Sequence, residues 1–144
     1  MDIVIQLIAA LVGSLGFALI FNAGKRILIP SFIGGMLGWA IYLLFDFLNV
    51  GVFLATIAAA AFCQIYSEVF ARILKAPTTV FYIPAIVPLV PGGALYNTMY
   101  NAAINDWDNF RYYGATTLKV AFGIAVGASF VSAILLFLSK NKTV

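Results

Sequence analysis

Between Ala76 and Asn105 the chain reads APTTVFYIPAIVPLVPGGALYNTMYNAAIN. The run is apolar enough for a bilayer, yet it holds four of the chain's five prolines, Pro77, Pro84, Pro88 and Pro91, with Gly92 and Gly93 directly after them. A proline lacks the N–H and clashes with the carbonyl four residues back. In a helix Pro84 therefore frees the carbonyl of Val80, Pro88 that of Pro84, and Pro91 that of Val87. In lipid a freed carbonyl is costly unless protein, water or a ligand meets it. Such a span either kinks as a structural helix, Pro and Gly being frequent in membrane helices, or breaks to build a site, as interrupted helices do near the bilayer midplane. Spaced seven, four and three apart, the prolines share one helical face. The break is expected at Pro91-Gly92-Gly93, with a new half-helix running to about Ile104.

Composition sets the surroundings of this stretch. Of 144 residues, 64% are hydrophobic and 9% charged, and the mean hydropathy is +1.07. A soluble domain carries about a quarter charged residues, so charge cannot cover a globular surface here. The apolar runs have helix length rather than strand alternation. The expectation is one all-α integral membrane domain over residues 1–144, in contact with the lipid bilayer, with about five transmembrane helices, the fourth interrupted.

The spans read in order as Ile3 to Phe21, Ser31 to Phe45, Val52 to Leu74, the proline stretch, and Tyr112 to Leu138. The N-terminal run lacks the basic start and cleavage site of a signal peptide and reads as a retained first span. Gly24 is expected to stop the first helix and Pro30 to start the second. Small residues recur at close-packing spacing: Ala10, Ser14 and Ala18; Gly34, Gly35 and Gly38; Ala58 to Ala61; Ala121, Ala125 and Ser129 with Gly123 and Gly127. Five spans place Lys25, Arg26, Arg72, Lys75, Lys140 and Lys142 on one side and Asp2, Asp46, Asp106 and Asp108 on the other. By the positive-inside rule the N-terminus is outside and the C-terminus cytoplasmic.

The candidate chemistry lies in and around the break. The first amides of the half-helix, near Gly93, Ala94 and Leu95, carry the positive end of a dipole and suit an anionic group such as a carboxylate. The polar face of that half-helix holds Gly93, Asn97, Tyr100 and Asn101, with Tyr96 adjacent. Lys119 is either a buried counter-charge to an anionic substrate or a side chain that snorkels to the outer surface. Glu68 is the one acid near membrane depth and the internal candidate for proton coupling; its plainer reading is an ion pair with Arg72, four residues on. Cys63 is alone and reads as a packing residue, and the chain has no histidine. No phosphate-cradling motif, no metal-ligand set and no hydrolytic triad is present, so enzyme and cofactor readings have no support. Nucleic acid is excluded by the lack of a basic patch.

The run APTTVFYIPAIVPLVPGG, from Ala76 to Gly93, resembles the threonine/serine exporter family, and most closely the short membrane subunit of its two-gene bacterial form. A threonine pair followed by proline-spaced apolar residues ending in Pro-Leu-Val-Pro-Gly-Gly carries the resemblance. The Gly-Lys-Arg loop and the final glycine-rich helix extend it over nearly the whole chain. The resemblance implies a multi-pass protein of the bacterial inner membrane that exports threonine and serine, or succinate-type dicarboxylates, driven by the proton-motive force. It also implies a longer partner subunit. Homo-oligomer contacts through the small-residue faces are a further expectation. Pro88, Pro91, Gly92 and Gly93 come from the family-like motif, and Asn97, Tyr100, Asn101, Lys119 and Glu68 from depth and polarity. The alternatives are a structural subunit with no substrate contact and, more weakly, a channel, for which no continuous polar stripe exists.

Overall fold

The computed structural model describes residues 2–140. Among these, all regular structure is helical: α1 (Ile3–Ile20), α2 (Lys25–Phe47), α3 (Val52–Leu74), α4 (Thr78–Ile86) with a 3₁₀ turn Val87–Leu89, α5 (Gly92–Ala103) and α6 (Trp107–Lys140). α1, α2, α3 and α6 are long and apolar enough to cross a membrane, and the pair α4–α5, bent by 51°, makes a broken fifth. The all-α, multi-pass expectation is met. Lys25, Arg26, Arg72 and Lys75 fall at helix ends on one side of the bundle, while Asp46, Asp106 and Asp108 fall at the other, where α6 also carries Arg111 and Lys119; Lys142 lies outside the described residues.

α3 is the central helix. Ala55, Ala59, Cys63, Ser67 and Ala71 recur every four residues along it and are all buried. This row, and not Ala58 to Ala61 as a block, is the close-packing face. It meets the glycines of α2: a methyl on Gly34 would fall 2.7 Å from Tyr66 Cε1, and one on Gly38 would collide with Cys63 Sγ. Around the helix, Thr56 and Ala60 meet Gly123 and Gly127 of α6, where a Cβ would come within 2.9 Å of Thr56 Cβ and 2.5 Å of the Ile57 carbonyl. The small row of α1 is buried as expected, with Ala18 and Ser14 at 0% exposure, and Ser14 sits where a side chain on Gly35 would go. In lipid, burial of apolar surface gives no drive between helices, so this close approach holds the bundle together.

Two boundaries differ from expectation. α1 is stopped by Asn22, not Gly24. Asn22 takes φ 52°, and the Ala23 amide reaches back to the Ala18 carbonyl at 3.0 Å, a left-handed helix stop. Asn49, Lys75 and Asn105 end α2, α3 and α5 with the same sign of φ. α2 then starts at Lys25 behind Gly24, so Pro30 lies inside it. Near a helix start a proline removes only one intrahelical bond, and Tyr66 Oη ties its carbonyl to α3 at 2.8 Å.

α3 and α6 run parallel, Thr56 beside Gly123 and Ala60 beside Gly127. Residues 107–119 of α6 therefore extend past the first turn of α3, by about 20 Å at 1.5 Å per residue. α5 runs antiparallel along this extension, with Thr98 against Gly114. The two arms of the broken span thus do different work. α4 packs among α1, α2 and α3, and α5 packs chiefly on α6.

Overpacking a tight contact costs about 1–3 kcal/mol. Gly127→Ala should therefore lower the thermal unfolding temperature of the purified protein, whereas Gly16→Ala, with nothing within 4 Å of the added methyl, should leave it unchanged; a melting curve for each variant in detergent checks the contrast.

Candidate functional site

Two of the three carbonyls freed by Pro84, Pro88 and Pro91 take new donors. Ser31 Oγ donates to Ile27 O at 2.8 Å and is shared with Val80 O, the carbonyl freed by Pro84, at 3.3 Å. Val87, freed by Pro91, instead accepts the Val90 amide at 3.1 Å by tightening into the 3₁₀ turn. The Pro84 carbonyl has lost its Pro88 donor and faces Gly35, 3.2 Å from where a Cβ would stand. One residue on, the Ala85 carbonyl takes the Cys63 thiol at 3.6 Å. These cross-helix bonds fix α4 in the bundle up to Leu89, which is itself buried.

Beyond Leu89 nothing of the kind holds the chain, and it opens into a cavity of about 270 Å³. Pro88, Leu89, Val90, Pro91, Gly92, Gly93 and Ala94 form one side of it. The others come from Trp39 and Tyr42 on α2, Val52 at the start of α3, and Thr116 and Val120 on α6. None of these lining residues is charged. Pro91 is the N-cap of α5, and the first α-helical bond of α5 is Leu95 N–H to Pro91 O at 2.9 Å. The amides of Gly93 and Ala94 precede that bond, in a turn without a side-chain cap. A methyl on Gly92 or Gly93 would meet nothing within 4 Å. Drug-sized pockets run from about 300 Å³ upward, so this one suits a small metabolite.

Pro88, Pro91, Gly92 and Gly93 are thus brought together on one cavity. The cavity reaches from Trp39 and Tyr42, within α2, to Val52, the first residue of α3. The remaining candidates lie elsewhere. Asn97 Nδ2 bonds Gly93 O at 2.9 Å and Asn101 Nδ2 bonds Asn97 O at 2.7 Å, both within α5. Tyr100 stacks on Tyr96, centroids 6.3 Å apart, on an exposed face. Lys119 is exposed, in a neighbouring groove with Tyr112, Thr116 and the start of α3. Glu68 is at the basic end, where Oε1 accepts the Thr78 hydroxyl at 3.1 Å and Oε2 lies 3.9 Å from Arg72 Nε.

Trp39, Tyr42 and Thr116 were missed from the sequence. They belong to elements far from the proline stretch, and the available signal, two aromatics three apart on α2, reads equally well as an interfacial belt. Trp39 and Tyr42 stack with centroids 5.0 Å apart, and Trp39 Nε1 donates to Gln6 Oε1 at 3.3 Å. At the turn above the cavity, the side chain of Asn109 and then its backbone amide hydrogen-bond Asp106, holding this carboxyl below its ordinary range. That cap is intact at neutral pH and is lost only on strong acidification.

A bundle of long apolar helices with a bent proline–glycine pair defines a multi-pass membrane protein. The sequence pattern of the family described as "Threonine/Serine exporter, ThrE" matches residues 6–134. The chain belongs to this family, which is one of inner-membrane exporters and not of enzymes. No solved structure matches it.

Replacing a hydroxyl that meets a freed carbonyl leaves that carbonyl unsatisfied, at about 1–3 kcal/mol. Ser31→Ala should lower the melting temperature by several degrees. Ser14→Ala should not, since Ser14 Oγ is buried without a hydrogen-bond partner; parallel melts of the two variants decide whether these bonds hold α4.

Proposed function

We propose that the chain is the substrate-handling short subunit of a secondary exporter of small carboxylate-bearing metabolites, and that the cavity at the Pro91 break is where the substrate sits. One observation carries this: the family-like residues Pro88, Pro91, Gly92 and Gly93 converge on a single uncharged cavity that also receives the first turn of α5. Amides at a helix start favour a carboxylate, and the absence of side chains on the two glycines lets it approach. Lys119, one groove away, draws anions to this end of the bundle. The ends of α2 and α3 give the cavity an outward exit when Lys25, Arg26, Arg72 and Lys75 are cytoplasmic.

Glu68 is the proposed coupling carboxylate. It holds Thr78, the first residue of α4, and Arg72, so its protonation would loosen the root of the arm that leads to the cavity. The resemblance to a two-gene system supports a longer partner subunit, and the thermodynamic drive is the proton gradient.

The test is efflux of preloaded threonine or succinate from cells expressing the chain with and without its longer partner. Gly92→Leu puts a side chain in the open space the substrate would occupy, and Pro91→Ala lets the helix run on; each should cut efflux about tenfold, a loss of about 1.4 kcal/mol, at unchanged membrane level. Glu68→Gln should abolish stimulation by a pH gradient while leaving exchange intact. Full efflux by Gly92→Leu and Pro91→Ala, with only partner association impaired, would favour the structural-subunit reading.

Orientation is checked separately. In a Cys63→Ala background, an impermeant thiol reagent added outside intact cells should label Asp106→Cys and not Lys25→Cys. The reverse pattern would invert the topology.

A further inference from the structure

The cavity at the break has a second wall whose chemistry is opposite to that of α5. We infer that Trp39, with Tyr42, is the wall that reads a substrate ammonium group, so that the site selects a zwitterionic amino acid over a carboxylate without an amine. This rests on the proposal that the carboxylate lies at the first turn of α5.

The argument is one of matched ends in a small space. Trp39 and Tyr42 are three residues apart on α2, stack at 5.0 Å with planes 24° apart, and both line the cavity. Aromatic faces attract ammonium groups, Trp most strongly, and more so away from bulk water. Asp46, four residues beyond Tyr42 on the same helical face, adds negative potential toward the open end. The indole N–H of Trp39 is held by Gln6 of α1 at 3.3 Å, which fixes the ring plane without a charged partner. No cationic side chain lines this cavity, so a second carboxylate placed against the aromatic wall would lose its water and gain nothing. Lys119 lines the adjacent groove and not this wall.

The test is uptake of labelled threonine into inside-out vesicles carrying the chain and its longer partner, with three competitors: serine, succinate, and the threonine analogue bearing a hydroxyl in place of the ammonium. Serine should compete about tenfold better than either of the others, the scale of a partly desolvated cation–π contact. Trp39→Leu should shrink that advantage to about twofold or less. Trp39→Phe keeps a ring without the N–H, and Gln6→Leu removes the N–H acceptor; both should keep the preference for serine, which a merely structural role of the hydrogen bond would not allow. Equal competition by succinate or by the hydroxy analogue in the unmodified protein would overturn the inference, as would undiminished discrimination in Trp39→Leu, while leaving the carboxylate site in place. Threonine uptake unaffected by Gly92→Leu would instead remove the carboxylate site itself, and the ammonium wall with it.

Discussion

A proline inside a membrane helix leaves a carbonyl that lipid cannot satisfy, and the architecture of this protein follows from where those carbonyls find partners. On the first arm the Val80 carbonyl finds its partner in a neighbouring helix, Ser31 of α2, and Cys63 of α3 ties the nearby Ala85 carbonyl. Such short side chains reach across only where backbones approach closely, and that approach is granted by Gly34, Gly35 and Gly38 on one side and the alanine row of α3 on the other. Past Leu89 the supply of neighbours ends. The chain tightens into a 3₁₀ turn, breaks at Pro91 and restarts as α5. The cavity is the space left where a continuous helix would have run.

This division assigns rigidity and mobility to different residues. α4 is pinned by three helices, whereas α5 leans on one, along an extension of α6 that outruns α3. Gly92 and Gly93 have open space around them, so the hinge between the arms is free of steric locks. A ligand bound between the arms would shift their relative position only by as much as it binds one arrangement of them better than another.

Much of this was legible beforehand. Hydropathy and charge placement located the spans, because lipid permits few alternatives, and the Val52–Leu74 helix has the bounds expected. The break at Pro91 was legible because its cause is local. Three features were not. Asn22, Asn49 and Asn105 end helices in the left-handed region, a role that glycine fills more often and that the sequence offered Gly24 for. The register of α6 against α3 is set by Gly123 and Gly127 meeting Thr56 and Ala60, and register between distant helices leaves no local mark. The polarity of α5 points to a lining, but Asn97 and Asn101 spend their amides on carbonyls of their own helix, and the cavity's facing residues Trp39 and Tyr42 come from α2.

The central claim is that substrate occupies the space in front of the first turn of α5. The most direct measurement places a single cysteine at Gly93, and in a second protein at Tyr100, each in a Cys63→Ala background, and follows the rate of maleimide modification with and without threonine. The account predicts that threonine slows modification at position 93 and leaves position 100, on the exposed face of the same helix, unchanged. Equal rates at position 93 with and without threonine, or equal slowing at both positions, would contradict it.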